Sequence, residues 1–163
     1  MPNVERIREL LNYDPETGVF TWRQKPARRI LVGSVAGNIS GKRGYRQIEV
    51  EGVRFYAHRL AWFYVHGKMP DGDIDHIDGR VDNNAISNLR DVTKTVNMQN
   101  MKKPSRHNKT GFLGVYQPTG CTVFKSTIRI NGKPKFLGSF KTAEEAHRAY
   151  ISAKREHHEG NTL

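Results

Sequence analysis

The chain has few of the features that mark secreted or membrane-inserted proteins. Its 163 residues include one cysteine, Cys121, which excludes an internal disulfide and a zinc site built from several thiolates. Cys121 reads as an inert filler of a strand, since nothing in the sequence pairs it with a base. No apolar run approaches the roughly 18 residues of a membrane helix, and the opening MPNVERIREL lacks a signal-peptide core. A cytosolic protein that enters no membrane is expected. Apolar residues are themselves scarce, at 36% with a mean hydropathy of −0.69, which suits small separate cores better than one large one. Acids are outnumbered, 16 against 27 Lys and Arg, for a net charge of +11. Such a chain seeks a polyanion, with nucleic acid ahead of an anionic membrane.

The few acids are unevenly placed. Residues 1–66 carry a net charge of +5 and residues 101–163 carry +8, whereas residues 67–100 carry −2. Asp71, Asp73, Asp75, Asp78, Asp82 and Asp91 all fall in the stretch 71–100. An acidic island holding His and Asn between two basic arms suggests a metal site pressed against a polyanion.

Apolar spacing at Val4, Ile7, Leu10 and Leu11 predicts a helix over about 2–11. A turn leads to a short strand at 19–22, followed by a basic, Gly- and Pro-rich stretch at 23–44. Within that stretch Arg28, Arg29, Lys42 and Arg43 are candidate phosphate contacts, and a merely solvated surface fits them as well. Strands at 45–50 and 53–56 flank Glu51-Gly52 as a hairpin, and a helix over 57–66 stops at Gly67. Leu60, Ala61, Tyr64 and Val65 form the predicted apolar face of that helix, and His58 and His66 stand about two turns apart. Residues 101–110 read as a linker whose Lys102, Lys103, Arg106 and Lys109 can track a DNA backbone. Strands are then predicted at 111–116, 122–130 and 135–140, the last two joined by the hairpin pair Asn131-Gly132. Thr142 and Glu145 make a capping box for a helix over 143–157.

In the acidic island, Ile74–Ile77 alternates like a strand, Asp78–Asn84 is turn chemistry, Leu89–Val92 returns as a strand, and Thr93 can cap a helix carrying Asn97. This order brings Asp75, His76, Asn88 and Asn97 within reach of one another. Carboxylate and amide oxygens are hard ligands for Mg²⁺ or Mn²⁺. A histidine with a pKa near 6.5 can take a proton from an attacking water. Asp71-x-Asp73-x-Asp75 starts like a calcium loop, but His76 and Asp82 stand where Gly and Glu belong. On spacing alone, a hairpin whose Asp and Asn residues only form turns remains an equal reading.

A longer pattern weighs between them. His58-Arg-Leu-Ala-Trp62, Gly67-x-x-Pro70, Ile74-Asp-His-Ile-Asp-Gly79, Asp82-Asn-Asn84, Ser87-Asn-Leu-Arg90, Thr93 and Asn97-x-x-Asn100 resemble the HNH homing endonucleases, in the phage and intron-encoded branch whose last His is Asn. The resemblance implies an α+β protein with a ββα-metal (His-Me finger) core at about 71–101. It also implies Asp75 and Asn97 as metal ligands, His76 as general base and Asn88 as the residue orienting it. The implied cofactor is Mg²⁺ or Mn²⁺, the partner double-stranded DNA, and the location the host cytoplasm if a phage encodes the chain. One active site per chain suits a monomer. A non-catalytic DNA-binding regulator on the same scaffold is the competing reading.

The last fifty residues are similar to the plant ethylene-response-factor type DNA-binding domain, on Thr110-Gly-Phe-x-Gly-Val115, Lys135-Phe-Leu-Gly-Ser-Phe140 and Thr142-Ala-Glu-Glu-Ala146. A three-stranded antiparallel sheet on one helix is implied, with Tyr116, Lys125, Thr127, Arg129 and Lys135 of the type that reads DNA. The plant domains place several Arg and Trp on these strands, whereas this chain has Arg129 and no Trp there. Phe124 and Phe136 read as core. The expected organisation is a nuclease region at 1–100, a linker at 101–110 and a DNA-binding domain at 111–163.

Overall fold

A computed structural model describes residues 1–41 and 43–162. Lys42 lies outside the described residues. The fold is mixed α and β, with four α-helices and small antiparallel sheets among the described residues. The chain divides into two compact units, residues 1–94 and 95–163.

In the first unit Asn3 caps helix α1 (Val4–Leu10), its side chain accepting from the Arg6 amide, which sets the start two residues later than apolar spacing alone suggests. Strands β1 (Leu11–Tyr13) and β2 (Phe20–Trp22) pair antiparallel. A second sheet has the order β3 (Asn38–Ser40), β4 (Tyr45–Val50), β5 (Val53–Tyr56). Glu51 and Gly52 join β4 to β5 with φ of 49° and 79°, the two positive values of a type I′ hairpin. Helix α2 (Ala57–His66) follows β5 directly. Its buried side chains are Ala57, His58, Leu60, Ala61 and Phe63. Val65, expected inside, is exposed, and Phe63 is buried, so the buried stripe ends before the last turn of the helix. His66 is exposed and lies tilted against the half-buried Trp62, so the two histidines of this helix have different surroundings. A hairpin of β6 (Asp73–His76) and β7 (Leu89–Val92) pairs Asp75 with Arg90 and His76 with Leu89. One apolar cluster runs from Val4 through Phe20, Ile48, Leu60 and Ile74 to Leu89.

In the second unit α3 (Lys94–Gln99) is tied to the chain end: the Gly160 amide donates to Gln99 Oε1 at 3.0 Å, and Lys154 Nζ donates to the Met101 carbonyl at 2.8 Å. Lys154 is buried, and desolvation, helped by the charge of Lys102, lowers its pKa. Asn108 organises the segment before the sheet, accepting from the Thr110 and Gly111 amides and donating to the Phe112 and Val115 carbonyls. Strands β8 (Val115–Tyr116), β9 (Phe124–Ile130) and β10 (Lys133–Phe140) form one antiparallel sheet. The strand expected from Gly111 begins only at Val115, since 111–114 is turn. Cys121 is exposed before β9. Helix α4 (Ala143–His157) carries the capping box, with Glu145 N to Thr142 Oγ1 at 3.2 Å and Thr142 N to Glu145 Oε2 at 3.3 Å.

Candidate active site

The loop that follows His76 is pinned by asparagine side chains. His76 ends β6 and is buried, as is Asp75 beside it. Asp75 Oδ2 accepts from Arg90 Nε at 2.8 Å and Nη2 at 2.7 Å, and the guanidinium is itself mostly shielded. A buried carboxylate needs such a partner, because an isolated charge there would cost several kcal/mol.

His76 Nε2 lies 3.2 Å from Asn84 Oδ1. The Asn84 amide nitrogen donates toward the Asp82 carbonyl at 3.5 Å, which leaves its oxygen as acceptor for the ring. A hydrogen on Nε2 would bond to that oxygen and leave Nδ1 as the acceptor of the ring. Asn84 is 3% exposed, and the N-terminal hairpin fixes its backbone. Tyr13 Oη donates to the Asn84 carbonyl at 2.7 Å, and Ile86 N donates to the Pro15 carbonyl at 3.1 Å. Gly18, at φ +71°, packs so closely that a Cβ would stand 2.1 Å from the Asn84 carbonyl carbon.

Asn88, implied by resemblance to orient His76, holds the loop instead. Its Oδ1 accepts from the Asp78 amide at 3.0 Å, and its Nδ2 donates to Asp78 Oδ1 at 3.0 Å and the Asn83 carbonyl at 2.8 Å. Its place one residue before β7, in a single 3₁₀ turn (Ile86–Asn88), aims the amide back across the loop. Burial would raise the pKa of Asp78, but hydrogen bonds from the Arg80 amide, Asn83 and Asn88 outweigh it and leave the group below the usual carboxylate range. Asn84 sits in the Asp-Asn-Asn run at 82–84, read from sequence as turn chemistry, and that run was the available signal for its role.

A second histidine packs against the ring of His76. His58 is 8% exposed. Its ring stacks on Tyr56 (5.5 Å, 12°), lies 5.1 Å from Tyr45 and meets His76 edge-on at 5.2 Å. Burial pushes its pKa down to about 3, with the charges of His76 and Arg59 acting the same way.

Asn97 lies on α3, in the second unit. No group of three or more His, Cys, Asp or Glu side chains comes together among the described residues. Carboxylate and amide oxygens such as those of Asp75 and Asn97 are of the donor type that fits a hard divalent cation, Mg²⁺ or Mn²⁺.

The basic candidates differ in setting. Arg28, Arg29 and Arg43 are exposed on loops of the first unit, and Lys103, Arg106 and Lys109 are exposed in the second, with Lys102 half-buried. Lys125 and Arg129 share one face of β9, opposite the buried Ser126 and Ile128. Lys135 does not join them. It pairs with Ile128 and reaches His157 on α4 at 3.5 Å, so it lies on the helix side of the sheet. Phe136, expected in the core, is 58% exposed on the open face beside Thr127. A bulge between Phe136 and Gly138 flips the alternation, so Phe140 turns inward while Phe136 turns out. Phe124 packs inward as expected.

With this geometry in view, residues 55–99 match the HNH endonuclease family model. The matched interval includes His58, Asp75, His76, Asn84, Asn88 and Asn97. The chain is also 35% identical over 77 residues to Protein 3.8 of Escherichia phage T7, an alignment covering 47% of this chain and 63% of that protein. No solved structure matches the chain. No helix among the described residues is long and apolar enough to cross a membrane.

Proposed function

We propose that the protein is a metal-dependent DNA endonuclease of the homing type that hydrolyses a phosphodiester of double-stranded DNA. The observation that carries the reading is a buried His76, next to Asp75 and 3.2 Å from the side-chain oxygen of Asn84, inside a segment that matches HNH endonucleases. His76 Nδ1 accepts a proton from a water molecule. The water oxygen bonds to phosphorus as the bond to the 3′-oxygen breaks, giving a 5′-phosphate and a 3′-hydroxyl that takes its proton from solvent. General base catalysis of this kind contributes about 10²–10⁴-fold. Asp75 and Asn97 are the residues that would hold a divalent cation, Mg²⁺ or Mn²⁺, which when bound would supply charge stabilisation at the phosphate and the leaving oxygen. Asn88 shapes the loop from which Asn84 reaches the base.

Residues 1–100 serve as the nuclease region, 101–110 as a basic connection and 111–163 as an ethylene-response-factor-like module that holds duplex DNA. Arg28, Arg29, Lys42, Arg43, Lys102, Lys103, Arg106, Lys109, Lys125 and Arg129 supply phosphate contacts. The protein acts in the cytoplasm of a phage-infected host, as the phage origin of Protein 3.8 supports.

The test is to incubate the protein with phage genomic DNA and Mg²⁺ or Mn²⁺ and to map new ends. His76→Ala should abolish cleavage while leaving DNA binding nearly intact, and Asp75→Ala should shift the metal titration. Unchanged cleavage by His76→Ala sinks the reading.

A further inference from the structure

His58 is used by no step above, yet it is the second histidine of the site. Its ring lies in a cage of Tyr45, Tyr56 and His76 at centroid distances of 5.1–5.5 Å. It is 8% exposed, and its ring nitrogens, which bond to no other described residue, are not fully enclosed and so reach solvent. An imidazole nitrogen that is unpaired and open to solvent can donate to an incoming ligand.

The helix that carries it supplies a second observation. His58 stands in the first turn of α2, a ten-residue helix whose cap, Tyr56, makes no side-chain cap hydrogen bond and whose first turn contains no acid. The first amides of a helix lack intrahelical acceptors and attract anions. Arg59, next in sequence, is occupied: its guanidinium donates to the Gly72 carbonyl at 3.0 Å and more weakly to that of Pro70, so it braces the approach to β6.

We infer that His58 and the uncapped first turn of α2 form a phosphate subsite beside His76, in which the neutral imidazole of His58 donates a hydrogen bond to a non-bridging oxygen of the DNA backbone. An imidazole held neutral by burial keeps one donor at every pH the enzyme meets, and it adds no positive charge next to the general base. This inference rests on the nuclease reading for its DNA substrate, but not for the phosphate itself.

Two experiments separate them. Inorganic phosphate, titrated without metal into the isotope-labelled full chain, should shift the amide resonances of Ala57, His58 and Arg59. In cleavage of the mapped site, His58→Phe keeps the ring packing and removes the donor, and turnover should fall about 10–100-fold. His58→Gln, which keeps a donor, should recover most of that loss, and both variants should melt near the parent. Amides of residues 57–59 that do not respond to phosphate, or a His58→Phe variant with parental turnover, overturn the subsite. Phosphate shifts at 57–59 in a chain that never cleaves DNA would instead uphold the subsite and remove the nuclease reading.

Discussion

Asn84→Ala is the perturbation that separates orientation of the base from mere stability. The substitution removes the oxygen 3.2 Å from His76 Nε2 but leaves the Asn84 backbone carbonyl on the Tyr13 hydroxyl, so the loop keeps its anchor. An ordinary hydrogen bond contributes about 1 kcal/mol net, and a buried N–H left unpaired costs about 1–3 kcal/mol. At roughly 1.4 kcal/mol per decade of rate, turnover should fall about 10–100-fold. Single-turnover cleavage from preformed enzyme–DNA complexes isolates this effect from binding, and a thermal melt reports stability in parallel. Asn88→Ala is the matched control. It deletes three hydrogen bonds to Asp78 and Asn83, so its main effect should be on the melt, by about 2–4 kcal/mol. If Asn84→Ala cleaves at the parental rate while Asn88→Ala slows turnover in a fully stable protein, the orienting residue is Asn88 and the reasoning fails.

Gly18→Ala should destabilise the first unit by more than the ~1 kcal/mol of a simple left-handed penalty, because the new methyl would lie 2.1 Å from the Asn84 backbone; denaturant titration reads this, and a neutral result refutes the close packing. Lys125→Ala and Arg129→Ala should each make the log–log salt dependence of DNA affinity shallower by about one. Lys135→Ala, whose side chain faces His157, should leave the slope where it is. Asp78 is held below its ordinary pKa, so its contribution is complete above the unfolded value near 3.9 and disappears as pH falls toward the lower folded value. Asp78→Asn should therefore flatten the acid limb of stability below about pH 4, followed by chemical denaturation at each pH.

Local chemistry made much of this molecule readable in advance. The capping box at Thr142 and Glu145, the Asn131-Gly132 turn and the bounds of α2 all rest on interactions within a few residues, and each appears in the structure. The strand-loop-strand-helix order around Asp75 and His76 was legible for the same reason. What escaped the sequence depends on distant partners. Asn84 and Asn88 are chemically alike and four residues apart, and only the Tyr13 and Gly18 contacts, some seventy residues upstream, decide which amide meets the imidazole. The face of Phe136 turns on a bulge at Leu137 that no alternation rule anticipates. On α2, Val65 is exposed and Phe63 buried, since the buried stripe ends before the last turn of the helix.

The grip of the N-terminal hairpin on the Asn84 backbone bears on portability. Tyr13, Pro15 and Gly18 lie well before residue 55, where the family match begins, and they share one apolar cluster with Ile74 and Leu89 through Tyr13. The matched segment is thus not a self-sufficient cassette. A chimera that transplants residues 55–99 alone would move the base and leave behind the scaffold that aims it, whereas a graft cut at the first residue would carry both.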